Sequence, residues 1–237
     1  MQPVEVDKAH SELRHIHRFR LLLGMSEHDM QRVVALTRMT SRRRGDVIYL
    51  PGDVSNRVYF LKGGRVKLTG MSEDGHEVLL DLIGPGEIFG EVGAIQKTPR
   101  TTSAQAVEDV LLFEMDRKDF EALVLSHQEI ALRVLKRVAF RLKRAEAQLV
   151  SVICKDVPTR VREALVDLMD DGSVYKPNPP VKIRLTQQDV ANLIGASRQE
   201  TARALKELQK SGVLDLKYRR IVVKAPDLLR QNRSPGH

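Results

Sequence analysis

Arg100 is the residue of this chain best suited to hold a small anion, because it closes a stretch in which backbone can come close to a ligand. That stretch runs Gly84-Pro-Gly-Glu-Ile-Phe-Gly-Glu-Val-Gly-Ala-Ile-Gln-Lys-Thr-Pro-Arg-Thr-Thr-Ser103. Its glycines, Gly90 and Gly93 among them, permit tight turns and close approach, and a guanidinium offers five donors in a plane that matches a phosphate in bidentate fashion. Thr101 and Thr102 add hydroxyl donors beside it. Phe89-Gly90-Glu91-Val92-Gly93 suits the start of a short helical turn with free N–H groups, and Glu91 is placed there to accept from ribose hydroxyls. Two plainer readings stand beside this one: a glycine-rich turn between strands, and an internal ion pair between Glu91 and Arg100.

The second group of candidates lies near the C-terminus. In Leu185-Thr-Gln-Gln-Asp-Val-Ala-Asn-Leu-Ile-Gly-Ala-Ser-Arg-Gln-Glu-Thr-Ala-Arg-Ala-Leu-Lys-Glu-Leu208, Thr186 is placed to cap one helix, Gly195 to make a turn and Ser197 to cap a second helix. That is a helix-turn-helix layout, with a purely structural helical hairpin as the bland alternative. The net charge of +8 is uneven: residues 155–237 carry 16 Lys and Arg against 10 Asp and Glu, leaving +2 for the rest. The basic end is therefore the one expected to meet a polyanion.

Composition narrows the function classes. A 237-residue chain with 42% hydrophobic and 30% charged residues has room for two modest cores and the balance of a water-soluble protein. No apolar run approaches the roughly 20 residues that cross a bilayer, and Met1-Gln-Pro-Val-Glu-Val-Asp-Lys lacks a signal-peptide core, so a cytoplasmic protein without a membrane partner is expected. Cys154 is the only cysteine, which excludes an intramolecular disulfide, a cysteine zinc cluster and a four-thiolate iron–sulfur site. It reads first as packing after an apolar helix and second as an oxidant sensor. His15 and His17 sit two apart, a spacing that points to different helix faces, and His76 is the only histidine among the strands. No metal site and no enzyme are expected.

The elements that must position these residues follow from periodicity. Ala9 to about Thr40 reads as helical, with Ser26 opening a second helix that carries Met30, Val33 and Val34. From Gly45 short strands follow, Val47–Leu50, Val58–Leu61, Val66–Thr69, Val78–Ile83, Thr102–Ala106 and Val110–Met115, broken by Gly, Pro and Asp as in an antiparallel jelly roll. A long helix from roughly Ser126 to Val152 spaces Leu135, Val138, Leu142, Ala145, Leu149 and Val152 three and four apart between charged flanks. That narrow seam suits a helix meeting its twin in a parallel homodimer. Another helix is expected over Arg160–Met169, then a loop through Pro180, and strands Val213–Leu216 and Ile221–Val223 around Lys217-Tyr-Arg-Arg220. The expected class is α+β, divided as residues 1–125, 126–154 and 155–237.

The run Phe89-Gly90-Glu91-Val92-Gly93 with Pro99-Arg100-Thr101-Thr102-Ser103-Ala104 resembles the phosphate-binding cassette of cyclic nucleotide-binding domains, especially those of the Crp/Fnr family. The C-terminal helices and hairpin are similar to that family's winged helix-turn-helix. The resemblance covers about residue 12 to residue 229 and implies a dimeric transcription regulator that binds double-stranded DNA at a rough palindrome and engages RNA polymerase. It implies that Glu91 holds a ribose hydroxyl, Arg100 and Thr101 with Thr102 the cyclic phosphate, Gly90 and Val92 backbone contacts, and that Arg141 pairs near Glu91. Ala145 and Glu146 fall where cyclic-AMP-responsive members place hydroxyls toward the base. Cyclic AMP is the first expectation, with cyclic di-GMP, a redox signal or no ligand as alternatives. By the same matching Arg198, Gln199 and Arg203 read bases, Ser197, Thr201 and the hairpin cations Lys217, Arg219 and Arg220 meet the backbone, and Thr186 and Lys206 belong to the same DNA-binding set. Gln199 departs from the glutamate of well-known members, so their half-site does not carry over.

Overall fold

The computed structural model describes residues 19–73, 75–170 and 180–231. The chain divides into two compact units, one of residues up to Gly70 with Asp81–Arg141, the other of Met71–Leu80 with the chain from Leu142 onward. Its class is α+β, with antiparallel sheets first and helices with a small sheet last.

A single 3-10 turn, Arg20–Leu22, and helix α1, Glu27–Ala35, lead into eight strands: β1 Thr37–Arg42, β2 Val47–Tyr49, β3 Arg57–Gly63, β4 Val66–Met71, β5 Glu77–Ile83, β6 Ile88–Phe89, β7 Ser103–Ala106 and β8 Val110–Asp116. They form two four-stranded sheets, β1-β8-β3-β6 and β2-β7-β4-β5. Ser26 starts α1 because its hydroxyl accepts the Asp29 amide at 3.1 Å. The expected helix to Thr40 is corrected: α1 ends at Ala35, and Thr37–Arg42 is a strand on β8. Thr-Arg-Met-Thr-Ser-Arg carries no apolar helical stripe, and Thr40 reaches across the ladder to donate to Glu114 at 2.7 Å. The first expected helix is also corrected where it is described, since Phe19 is extended and only the 3-10 turn Arg20–Leu22 follows; its part up to residue 18, with His15 and His17, lies outside the described residues.

Alternation along the strands builds the core on both faces of one sheet. On β3, Val58 and Phe60 join Phe19, Phe113, Met115 and α1 in one cluster, while Tyr59 and Leu61 join Tyr49, Phe89, Ile83 and Leu112 in the other. Phe19 meets Phe60 and Phe113 edge to face, with centroids 5.4 and 6.0 Å away. Glu114, buried on β8, accepts from Thr40, Arg42 and Arg57, which balances its charge.

Three helices complete this part of the chain: α2, Glu91–Gln96; α3, Arg117–Ser126; and α4, Gln128–Cys154. Helix α3 was not expected; its stripe is only Phe120 and Leu123. Along α4 only Ile130 and Val134 are buried, whereas Leu135, Leu142 and Leu149 are 63%, 60% and 64% exposed.

The second unit holds α5, Val157–Asp170; β9, Val181–Ile183; α6, Gln187–Ile194; α7, Arg198–Lys210; the hairpin β10, Leu214–Lys217, and β11, Arg220–Val223; and α8, Pro226–Gln231. Its sheet runs β10-β11-β9. Val161, Leu165, Val190, Leu205, Leu208, Leu214 and Ile221 are among its core residues. The loop expected before β9 falls, up to residue 179, outside the described residues.

Candidate functional site

The cassette is shaped by what it buries. Phe89 ends β6, Gly90 turns the chain at φ 79°, and α2 starts at Glu91. A Cβ at Gly90 would lie 2.8 Å from Arg100 Nη1 and 3.2 Å from Tyr59 Cδ2, so only glycine fits both the backbone and the space. Gly93 packs as tightly, because a Cβ there would strike the Ser55 hydroxyl.

Arg100 is only 5% exposed, yet among the described residues no carboxylate pairs with it. Nη1 donates to the Gly90 carbonyl at 2.5 Å and Nη2 donates to the Arg57 carbonyl, while Nε is buried without a partner among the described residues. The guanidinium lies over the Tyr49 ring at 4.3 Å and near Tyr59 at 5.9 Å. Burial pushes the phenols of Tyr49 and Tyr59 up from their ordinary value, with the Arg100 charge pulling the other way in both. A cation held by carbonyls and ring faces, with a spare donor, is an arrangement that a small anion complements.

Glu91 is 1% exposed and does not pair with Arg100. Its Oε1 accepts from Arg141 Nη1, and its Oε2 is buried with no partner among the described residues. Arg141 also donates through Nε to Asp81 at 2.9 Å and through Nη2 to the Ile88 carbonyl at 2.9 Å. One turn earlier on α4, Arg137 reaches Glu87 at 2.5 Å and Asp81 at 3.5 Å. Two helix cations thus face three carboxylates, and Glu91 keeps one oxygen to offer. The alternative ion pair between Glu91 and Arg100 is not what this part of the chain forms.

The other expected ligand residues are more open. Val92 is exposed on α2, Thr101 is exposed and Thr102 is half-buried beside Tyr49. Ala145 and Glu146 are exposed, four and five residues beyond Arg141 on α4. The structure also brings Tyr49, Tyr59 and Asp81 to the cassette, none of which sequence reasoning singled out. Tyr49 sits on β2, far from the glycine run in sequence, and Asp81 on β5 just before it; sheet pairing brings the first to Arg100 and α4 brings its arginines to the second. Among the described residues no cluster of metal-ligating side chains occurs, and no helix is long and apolar enough to cross a membrane.

In the second unit both helix starts are capping boxes. The Thr186 hydroxyl accepts from the Asp189 amide at 3.0 Å and the Thr186 amide donates to the Asp189 carboxylate at 2.9 Å, and Ser197 and Glu200 repeat the pattern. Gly195, at φ 60°, ends α6 and lets α7 begin after two residues. Arg198, Gln199, Arg203 and Lys206 are exposed on α7, and Lys217, Arg219 and Arg220 are exposed on the hairpin. Lys217 pairs across the hairpin with Arg220, leaving Tyr218 and Arg219 at the tip. Arg219 takes φ 53°, uncommon for a side-chain-bearing residue, and lies 5.4 Å from the Tyr218 ring. Thr201 is a correction to the expected backbone contacts. It is fully buried and its hydroxyl donates to the Ser197 carbonyl at 2.9 Å, so its place is in the helix packing.

The family model for the cyclic nucleotide-binding domain matches residues 39–127, and that for the Crp-like helix-turn-helix domain matches residues 159–232. A CRP-like cAMP-activated global transcriptional regulator of Mycobacterium tuberculosis is 31% identical over 185 residues, covering 76% of this chain and 81% of that protein. The chain belongs to the Crp/Fnr family. A cyclic AMP receptor protein of Thermus thermophilus is 29% identical, across 89% of this chain and 95% of that protein. The crystal structure of a CRP/FNR-family transcriptional regulator from the same species aligns with a TM-score of 0.66 at 25% identity, covering 82% of this chain and 97% of the other. This Crp/Fnr member is thus a transcription regulator with a cyclic nucleotide-binding domain and a DNA-binding helix-turn-helix, and its curated relatives are regulators rather than enzymes.

Proposed function

We propose that this regulator is a homodimer whose grip on DNA is set by a cyclic nucleotide, cyclic AMP in the first instance, seated against Arg100. The observation that carries the reading is the pair of buried, unpartnered atoms in one cassette, Arg100 Nε and Glu91 Oε2. A donor on a cation and an acceptor on a carboxylate match the two ends of a ribose cyclic phosphate. Arg100, with Thr101 and Thr102, takes the phosphate; Glu91 takes the ribose hydroxyl through Oε2; Gly90 and Val92 offer backbone; and Arg141 holds Glu91 in place. Two curated relatives, described as cAMP-activated and as a cyclic AMP receptor, support the choice of nucleotide.

Dimerisation rests on the α4 seam. Leu135, Val138, Leu142, Ala145, Leu149 and Val152 are all exposed in the single chain, and a helix presenting that row to water is stabilised by burying it against its twin. Arg141 sits one residue before Leu142 in that row. Ligand binding at Glu91 therefore acts on the helix that joins the two subunits, and a ligand that prefers the DNA-competent arrangement strengthens DNA binding. At the operator, Arg198 and Arg203 read guanine edges, Gln199 reads adenine, and Thr186, Ser197, Lys206 and the cations Lys217, Arg219 and Arg220 meet phosphates. RNA polymerase is the partner that converts occupancy into regulation.

A second reading rests on α4. Alanine at 145 cannot hydrogen-bond a base edge, which favours another nucleotide, such as cyclic di-GMP, or a ligand-independent regulator. Calorimetric titration of cyclic AMP, cyclic GMP and cyclic di-GMP into the purified protein separates the readings. Saturable binding of cyclic AMP that Arg100→Ala abolishes supports the first, and heat with none of the three contradicts nucleotide gating.

A further inference from the structure

Tyr49 belongs to β2, a strand three residues long whose pairing with β7 shifts register between Val47 and Tyr49. It is 6% exposed, and its ring lies 6.2 Å from Phe89 and 5.9 Å from Tyr59, which are themselves stacked at 4.9 Å. Phe89 precedes Gly90, so the rings tie the two ends of the cassette together: one end through the chain at Gly90, the other through the guanidinium of Arg100 over Tyr49 at 4.3 Å. The two carbonyl bonds of Arg100 fix its terminal nitrogens but leave rotation about that edge open. The Tyr49 face, 4.3 Å away, closes it, and the space beside Gly90 is too small to admit even a Cβ next to Nη1.

We propose that Tyr49 is a positioning residue for the nucleotide phosphate: its ring holds the Arg100 guanidinium flat, with the Nε edge turned to the anion. The proposal rests on the reading of the cassette as a cyclic nucleotide site. A desolvated cation over an aromatic face gains more than an exposed one, because water no longer competes for the charge. The interaction is ready before the ligand arrives, so the phosphate meets a donor plane that needs no reorganisation. An aliphatic side chain of similar size fills the space but offers no negative face, and the guanidinium is then free to turn.

The test uses calorimetry with cyclic AMP on the full-length protein, extended by tyrosine emission, which is readable because the chain has no tryptophan and only 4 tyrosines. Tyr49→Leu should weaken cyclic AMP binding about tenfold, whereas Tyr49→Phe, which keeps the ring, should stay within about threefold of wild type. In an Arg100→Lys background Tyr49→Leu should change affinity less than about twofold, since Tyr49 acts through the guanidinium. Saturating cyclic AMP should change the tyrosine emission of the wild type, and Tyr49→Phe should remove most of that change while still binding. This last measurement stands even where Tyr49→Leu fails to fold. Wild-type affinity in Tyr49→Leu, equal losses in both backgrounds, or an unaltered emission change in Tyr49→Phe would overturn the role of Tyr49 and leave the cassette assignment intact. A wild-type protein that binds no cyclic AMP, or an Arg100→Ala variant that binds it normally, would overturn both.

Discussion

The arginines at the two ends of this regulator are used in opposite ways. Arg100 is buried, held by two carbonyls and a tyrosine ring, and its orientation is settled before any partner arrives. Arg198 and Arg203 stand exposed on α7, and Arg219 and Arg220 on the hairpin, and on the proposed reading it is DNA that orders them. A buried cation is expensive unless its neighbours and ligand complete its hydrogen bonds, so its surroundings are specialised. An exposed cation costs little, so its surroundings reveal less about what it contacts. On the proposed reading the cassette is a rigid lock and the α7 surface an adaptable one.

That contrast is broken most severely by Arg100→Ala, which should reduce cyclic nucleotide affinity by about a hundredfold or more while the roll stays folded, as calorimetry and thermal unfolding will report. Placing charge in the α4 seam, Leu142→Glu with Leu149→Glu, should convert the dimer to monomer in sedimentation at micromolar concentration and abolish operator binding. On the adaptable side the effects should be smaller and should differ in kind. Arg203→Ala should cost about 1–3 kcal/mol on the preferred sequence and relax discrimination at one base position. Arg219→Ala should weaken binding evenly across sequences and reduce the salt slope by about one. If both variants lost affinity evenly, α7 would not be the reading helix.

The smallest effect concerns the start of α7. Hydrogen bonds from the Ser197 side chain and then its backbone hold the Glu200 carboxyl below its ordinary value. A group whose value is depressed on folding contributes stability above its unfolded pKa and loses it as pH falls through the folded one. The cap should therefore persist at neutral pH and fade only once acid protonates the Glu200 carboxylate. Amide exchange at the first turn of α7 measures this, and Ser197→Ala should loosen that turn by about 1 kcal/mol.

The same contrast explains what could be read from sequence. Thr186, Gly195 and Ser197 announced the helix-turn-helix because caps and left-handed turns are local chemistry, and α6 and α7 follow them. The alternating strands announced the roll for the same reason. Tyr49 and Asp81 escaped notice because their places at Arg100 and Arg141 are made by sheet pairing and by α4, across separations that no local pattern records. Thr37–Arg42 was misread because a half-exposed edge strand lacks a strong period of either kind, and Thr201 because a hydroxyl on a recognition helix gives no sign of which face it occupies.

Ligand gating is tested most directly by measuring the affinity of the full-length protein for its operator with and without saturating cyclic AMP, and the affinity for cyclic AMP with and without operator. Gating through Glu91, Arg141 and α4 requires both affinities to rise by the same factor, about 5- to 150-fold, because coupling between two sites is reciprocal. Operator binding of equal strength in the absence and presence of the nucleotide would contradict it.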